Sequence, residues 1–387
     1  MNIADFRKLL TLTVVIATVL LSLAATQDSP SGRPPMGPLQ RVDPRLYDFG
    51  ITVNVSTTWQ RDVTQRRYYN IKDAPIVMPV IFQGTYSRVP SDSLWAKLWL
   101  DGREDKTLSE RTRVDSGFPY HSHLAVMTIP EFNGQTVRWS FGYKVQLWSS
   151  KIDDAMAANI PWPREWPKEV KDGLKRQMFI ESDEPIFKET IERISQGQLR
   201  MVPPYLAAKD IVKYCIENVR VSGNSEHRGY GGMLHGLQIA GALKATESTT
   251  SSANDLVCVC VAMLRAAGIP ARPVIGIEKS LSDRKEFVSW AEFFLPGAGW
   301  IPFDPNEMRG KGLAQKTVHD PWQGFGTIKK LNRRIPLSYH FVPPSAVESP
   351  QYAAVWGWDP RPGGDPSSEQ IITFKMTSRG KGVEDPQ

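Results

Sequence analysis

The sequence predicts an α+β protein in two parts: a β-sandwich over 46–150, then helices packed on an antiparallel sheet over 179–343. Two observations carry that expectation. Between 46 and 150, runs rich in β-branched and aromatic residues, such as YDFGITVNVSTTW and TVRWSFGYKVQLW, follow one another with no helical period between them. Several short strands in succession read as a sandwich, whereas βαβ units would interpose helices. Beyond 180 the period changes, with helical stretches first and a hairpin after them, the order of an α+β domain. A chain of 387 residues is also too long for one small core and suits about two.

Taken in order, residues 1–25 read as a secretory signal peptide: Arg7 and Lys8 precede an apolar run over 9–23, and Ala24 and Ala25 offer a cleavage site. The run is short for a membrane span, so an uncleaved anchor is the secondary reading. Residues 26–45, containing SGRPPMGP, read as a flexible linker. After the sandwich, 151–178 form a stiff connector, because Pro161, Pro163 and Pro167 forbid helix interior and central strand, with Trp162 and Trp166 to hold it down. Helices are expected over 186–194, 205–219 and 255–267, with a looser helical pattern over 233–245. Gly268 suits the left-handed position after a helix, and Ile269-Pro270 then extends the chain. Strands 271–277, 289–295 and 300–304 follow, the last two joined by a turn at 296–299. The extension 344–387 contains one strand, 371–376, and a disordered tail from Thr377.

Composition excludes several roles. The net charge of +6 is modest, and no Lys/Arg block with interleaved aromatics supports a nucleic-acid partner. The three cysteines give no disulfide framework; Cys258 and Cys260 point to opposite sides of one helix and cannot share a metal. His121 and His123, two apart on a possible strand, could ligate together, but no third ligand is identifiable. No cofactor or metal is therefore expected.

The chemistry lies in 251–306, which contains LRAAGIPARPVIGI and VSWAEFFLPGAGWIPFDPN. This frame resembles the core of the transglutaminase-like superfamily, the papain-related cysteine family, and the resemblance covers 179–343. It implies a cysteine at the start of the helix, where the dipole and a histidine stabilise the thiolate. It also implies that histidine two residues before the tryptophan of WAE, as proton carrier, and an aspartate after GWIPF to orient it. Counting twelve residues back from Arg265 gives Ala253, and Trp290 fixes Val288 at the histidine position. Only Asp304 keeps its residue type. The resemblance thus implies a bacterial exported protein of this fold with a degenerate triad, and such proteins also place a sandwich and connector ahead of the domain.

Single residues keep rival readings. Ser252 is either a substitute nucleophile or a helix cap alongside Ser251, Asn254 and Asp255. Cys258 lies about a turn into an apolar helix and reads as inert, while His227, His235 or His319 would have to supply a base. Asp304 either retains its triad role or caps the turn through Pro305 and Asn306. Val288 would make the old cleft more apolar, which suits peptide binding. The expected function is a catalytically inactive binding or scaffolding module at the cell envelope, periplasmic or extracellular, with a protein or peptide partner and membrane contact only through a retained signal segment. The alternative is an active amide hydrolase or acyltransferase using a rearranged nucleophile such as Ser252.

Overall fold

Strand β1 (Leu39–Ser56) shows why the first half is a sheet protein. Tyr47, Phe49, Ile51, Val53 and Val55 are buried in alternation with Asp48, Thr52 and Asn54, the period of a half-buried strand. It is followed by β2 (Ala74–Val80), β3 (Trp95–Leu100), β4 (Thr112–Asp115), β5 (His123–Ile129) and β6 (Thr136–Ile152). β1, β6 and β3 are antiparallel neighbours in one sheet, and β2, β5 and β4 in another. Ile76, Met127 and Trp139 from the two sheets share one buried cluster. The computed structural model describes residues 37–57, 68–282, 285–345, 353–358 and 369–384; the signal-peptide reading of 1–25 lies outside them.

The second half opens with helices α1 (Asp154–Ala158), α2 (Pro185–Ser195) and α3 (Pro204–Asn218). In the connector, Trp162 Nε1 donates to the Val202 carbonyl at 2.7 Å and Trp166 Nε1 to that of Gly268 at 2.9 Å. A small hairpin, β7 (Glu226–Arg228) and β8 (Leu234–Leu237), precedes α4 (Ala242–Glu247) and α5 (Ala253–Ala266). Then come β9 (Ala271–Lys279), β10 (Lys285–Leu295), β11 (Gly299–Phe303), the short α6 (Pro305–Met308) and β12 (Arg334–Ser338). These four strands form one antiparallel sheet in the order β11–β10–β9–β12. Last are β13 (Gly357–Trp358), paired with β2, and β14 (Glu369–Lys381), paired with β1.

Helix α5 is the axis of the second half, buried continuously from Asn254 to Arg265. A helix apolar all round is stable only inside a core. Its end is a Schellman motif: Gly268 stands at φ 75°, its N–H donates to the Arg265 carbonyl, and the Ile269 N–H donates to that of Leu264, both at 2.9 Å.

Three segments depart from the sequence reading. The linker of 26–45 does not extend to 45, because β1 begins at Leu39; a bulge between Val42 and Arg45, with Asp43 at φ 52°, accommodates Pro44 within the strand. The helical pattern at 233–245 is a strand, Leu234–Leu237, followed by helix only from Ala242. The tail from Thr377 is ordered strand to Lys381, its polar outer side masking a period that pairing with β1 completes. His121, moreover, ends a 3-10 turn (Pro119–His121) at φ 56° and shares no strand with His123.

Sandwich and second half meet along a buried seam. Arg272 on β9 donates through Nε to Glu292 on β10 at 2.9 Å and through Nη2 to Thr85 Oγ1 at 3.1 Å. Its guanidinium lies 3.7 Å from the Tyr339 ring centroid and 4.1 Å from that of Trp300. Arg265 Nη2 donates to Tyr120 Oη at 2.9 Å. His340 sits at this seam, its ring 5.6 Å from that of Tyr120. Burial, followed by the repulsion of Arg265, pulls its pKa down from 6.5 to about 4. Between these values the unfolded chain binds the proton more readily than the folded one, so stability falls as pH drops through that window. Urea midpoints are expected to show His340→Gln losing less stability than the wild type from pH 7 to about 4.5, by on the order of 2 kcal/mol; equal losses would remove His340 as the cause.

Candidate functional site

The start of α5, the middle of β10 and the residue after β11 meet at a cavity of about 300 Å³, with Ala253, Val288 and Asp304 all on its wall. Each position follows from local structure. Ser252 is the N-cap of α5, so Ala253 is its first helical residue. β10 buries Phe287 fully and leaves half-buried Val288 on the cavity wall. Asp304 caps α6, its Oδ1 accepting from the Glu307 N–H at 2.9 Å.

Hydrogen bonds hold the three positions together. Asn254, wholly buried, donates through Nδ2 to the Ser225 and Gln238 carbonyls at 2.8 and 2.9 Å and accepts from Ser289 Oγ at 2.7 Å. The residue after Ala253 is thus tied to the residue after Val288. Asn306 Nδ2 donates to the Ala253 carbonyl at 3.0 Å, tying the turn after Asp304 to the helix start. Backbone register, which a catalytic triad also needs, is secured here by amides and a hydroxyl.

The second oxygen of Asp304 belongs to Arg334. Arg334 Nη2 lies 2.7 Å from Asp304 Oδ2, and its Nε donates to Glu278 Oε2 at 2.7 Å. Arg334 and Asp304 are 3 % and 2 % exposed. Burial works against the guanidinium charge, but Asp304 and Glu278 outweigh it and raise the pKa of Arg334 above its ordinary value. Lys330 Nζ approaches Glu307 at 3.5 Å and Glu278 at 3.8 Å. The cavity is consequently charged, with Glu278, Glu286, Asp304 and Glu307 facing Lys330 and Arg334, and the apolar cleft expected from Val288 is not what forms. One aliphatic side chain cannot set the character of a wall built from β9, α6 and the segment before β12.

The remaining candidates lie elsewhere. Ser252 Oγ accepts from the Asp255 N–H at 3.1 Å and Asp255 Oδ2 from the Ser252 N–H at 2.8 Å, a reciprocal capping box; Ser252 is not among the residues lining the cavity. Such a cap stabilises a helix by about 1 kcal/mol. His227 and His235 lie on β7 and β8, with ring centroids 6.2 Å apart, and His319 is exposed in a turn; none lines the cavity. Cys258 and Cys260 are fully buried, and burial pushes both thiols well up. Among the described residues no group of three or more His, Cys, Asp or Glu side chains is placed to hold a metal. Sequence reasoning missed Arg334, Lys330 and Glu278. The run KKLNRR at 329–334 was the available signal, but only the pairing of β12 with β9, which sets Arg334 opposite Glu278, gives it meaning.

A capped helix start, a strand position and an aspartate after the next strand thus all line one cavity. The transglutaminase-like superfamily model matches residues 192–305, so the chain carries a domain of that superfamily. It is similar in fold to "a putative cysteine protease from Cytophaga hutchinsonii", at 12% identity over 89% of this chain and 94% of that one, with a TM-score of 0.54. A transglutaminase of red sea bream aligns at 12% identity over 60% of this chain and 48% of that one, with a TM-score of 0.24. No curated protein matches the chain significantly.

Arg334→Met would leave two carboxylates facing each other at the cavity. It is expected to destabilise the protein by about 3 kcal/mol, read from urea unfolding, because breaking a buried pair leaves uncompensated charge. An unchanged midpoint would show that the pair contributes nothing.

Proposed function

We propose that this protein is an exported, catalytically inactive transglutaminase-like protein that holds a polypeptide segment at the cavity between α5, β10 and β11. The observation carrying this reading is the engagement of Asp304 by Arg334 at 2.7 Å, with Ala253 and Val288 on the same wall. Acyl transfer needs a nucleophile and a proton carrier within reach of each other. Among the described residues, the lining side chains include serine hydroxyls at Ser225, Ser280 and Ser289 but no cysteine and no histidine. Ser289 Oγ already donates to Asn254 at 2.7 Å, and Ser225 Oγ to the Phe287 carbonyl. What is left is a walled, charged depression able to bind without reacting. Export rests on the pattern of residues 1–25; among the described residues, no helix is long and apolar enough to cross a membrane.

Purified protein is expected to release no ammonia from glutamine-containing peptides and to incorporate no amine into them. Its native thiols should resist thiol reagents, since Cys215, Cys258 and Cys260 are all buried. Ala253→Cys with Val288→His should create one thiol labelled at least about tenfold faster than the native three, as a thiolate at a helix N-terminus beside histidine would be. Amide turnover by the wild type that Ser252→Ala abolishes would sink the proposal in favour of an active enzyme.

A further inference from the structure

Beside the cavity lies a larger groove of about 840 Å³, and Lys330 and Glu307 line both. Its walls carry Arg45 on β1, Lys329 and Arg333 in the segment before β12, and Lys381 on β14, against Asp43. Among the described residues, Arg45, Lys329 and Arg333 have no carboxylate within ion-pair distance, and Lys381 has only Glu384 at 3.9 Å, both of that pair largely exposed. Arg45 and Lys381 are moreover direct partners across the β1–β14 pair. Like charges directly opposite in a sheet cost stability unless an anion comes between them. The groove is also built rather than incidental. Asn332 Nδ2 donates to the Asp43 carbonyl at 3.0 Å, and Ser149 Oγ donates to that of Lys329, fastening the cationic segment to the sandwich.

We propose that this groove binds an acidic polypeptide segment, whose carboxylates pair with Arg45, Lys329, Arg333 and Lys381 and whose chain leads over Lys330 to the cavity at Ala253. The proposal rests on the cleft reading above and names the partner's chemistry. A polypeptide fits better than a nucleic acid on three counts. Among the described residues, no aromatic side chain lines the groove to stack a base. Asp43 and Glu307 stand among the cations and would repel an unbroken phosphate chain, whereas a peptide can set N–H donors against them. Leu281, 92 % exposed at the groove, offers an apolar contact to a side chain.

The test is fluorescence anisotropy of the full chain with a short labelled peptide of alternating Glu and Gly carrying one Leu, beside a matched Lys peptide and a single-stranded oligonucleotide. Saturable binding of the Glu peptide is expected, weakening about tenfold between low and high salt. Lys329→Glu with Arg333→Glu should weaken it at least about tenfold while the unfolding temperature stays put, since Lys329 is exposed and Arg333 half-buried. Undiminished binding in that variant would overturn the groove assignment, as would tighter binding of the oligonucleotide that the same variant loses. Ala253→Trp, which fills the cavity, separates the two readings. Binding lost in it but kept in the charge reversal retains the cleft and rejects the groove; the reverse pattern retains the groove and rejects the cleft.

Discussion

The architecture depends on a buried guanidinium. Arg272 is bonded within its own sheet to Glu292, across the seam to Thr85, and stacked between the rings of Trp300 and Tyr339. A charge held this deeply is tolerated only when every side is engaged, since an unmatched buried ion costs several kcal/mol. Those partners come from both halves of the chain, so sandwich and papain-like sheet have one compatible arrangement. β9 and β10, which carry Arg272 and Glu292, also carry Glu278 and Val288 of the cavity. The seam and the site are two ends of the same strands.

A second guanidinium accounts for the buried carboxylate at the cavity. Without a partner, Asp304 would be a buried carboxylate with an empty side. Arg334 occupies that side and reaches Glu278 as well. Arginine suits the place because its planar fork meets two carboxylates in fixed directions. The aspartate thus keeps a structural role, as helix cap and ion-pair partner, whatever becomes of catalysis.

Much of this was legible in the residues. Gly268 after an apolar run and Pro270 beyond it marked the end of α5, and the hairpin turn at 296–299 placed Trp300 opposite Phe294. Local chemistry of that kind is written in neighbouring residues. The identities of Ala253, Val288 and Asp304 were equally plain once Arg265 and Trp290 set the register. What was hidden depended on distant pairing. Leu234–Leu237 became strand by lying against β7, and Thr377–Lys381 by lying against β1, although neither has a decisive period of its own. Arg334 looked like one cation in a basic run; burial against Glu278 and Asp304 is a property of sheet order, which single-chain periodicity does not carry.

The strand from Glu369 to Lys381 sets the order in which the molecule can be completed. It pairs Phe49 with Met376, so the first sheet receives its outermost member from residues more than 300 positions further along the chain. Until those residues emerge, β1 has an unsatisfied backbone edge, the kind that invites mispairing with other chains. Contacts closing so long a loop form slowly. The sandwich therefore cannot finish before the strand over 369–381 has been made. A chain that stops short of residue 369 would carry an open, aggregation-prone edge, however well its papain-like half had folded.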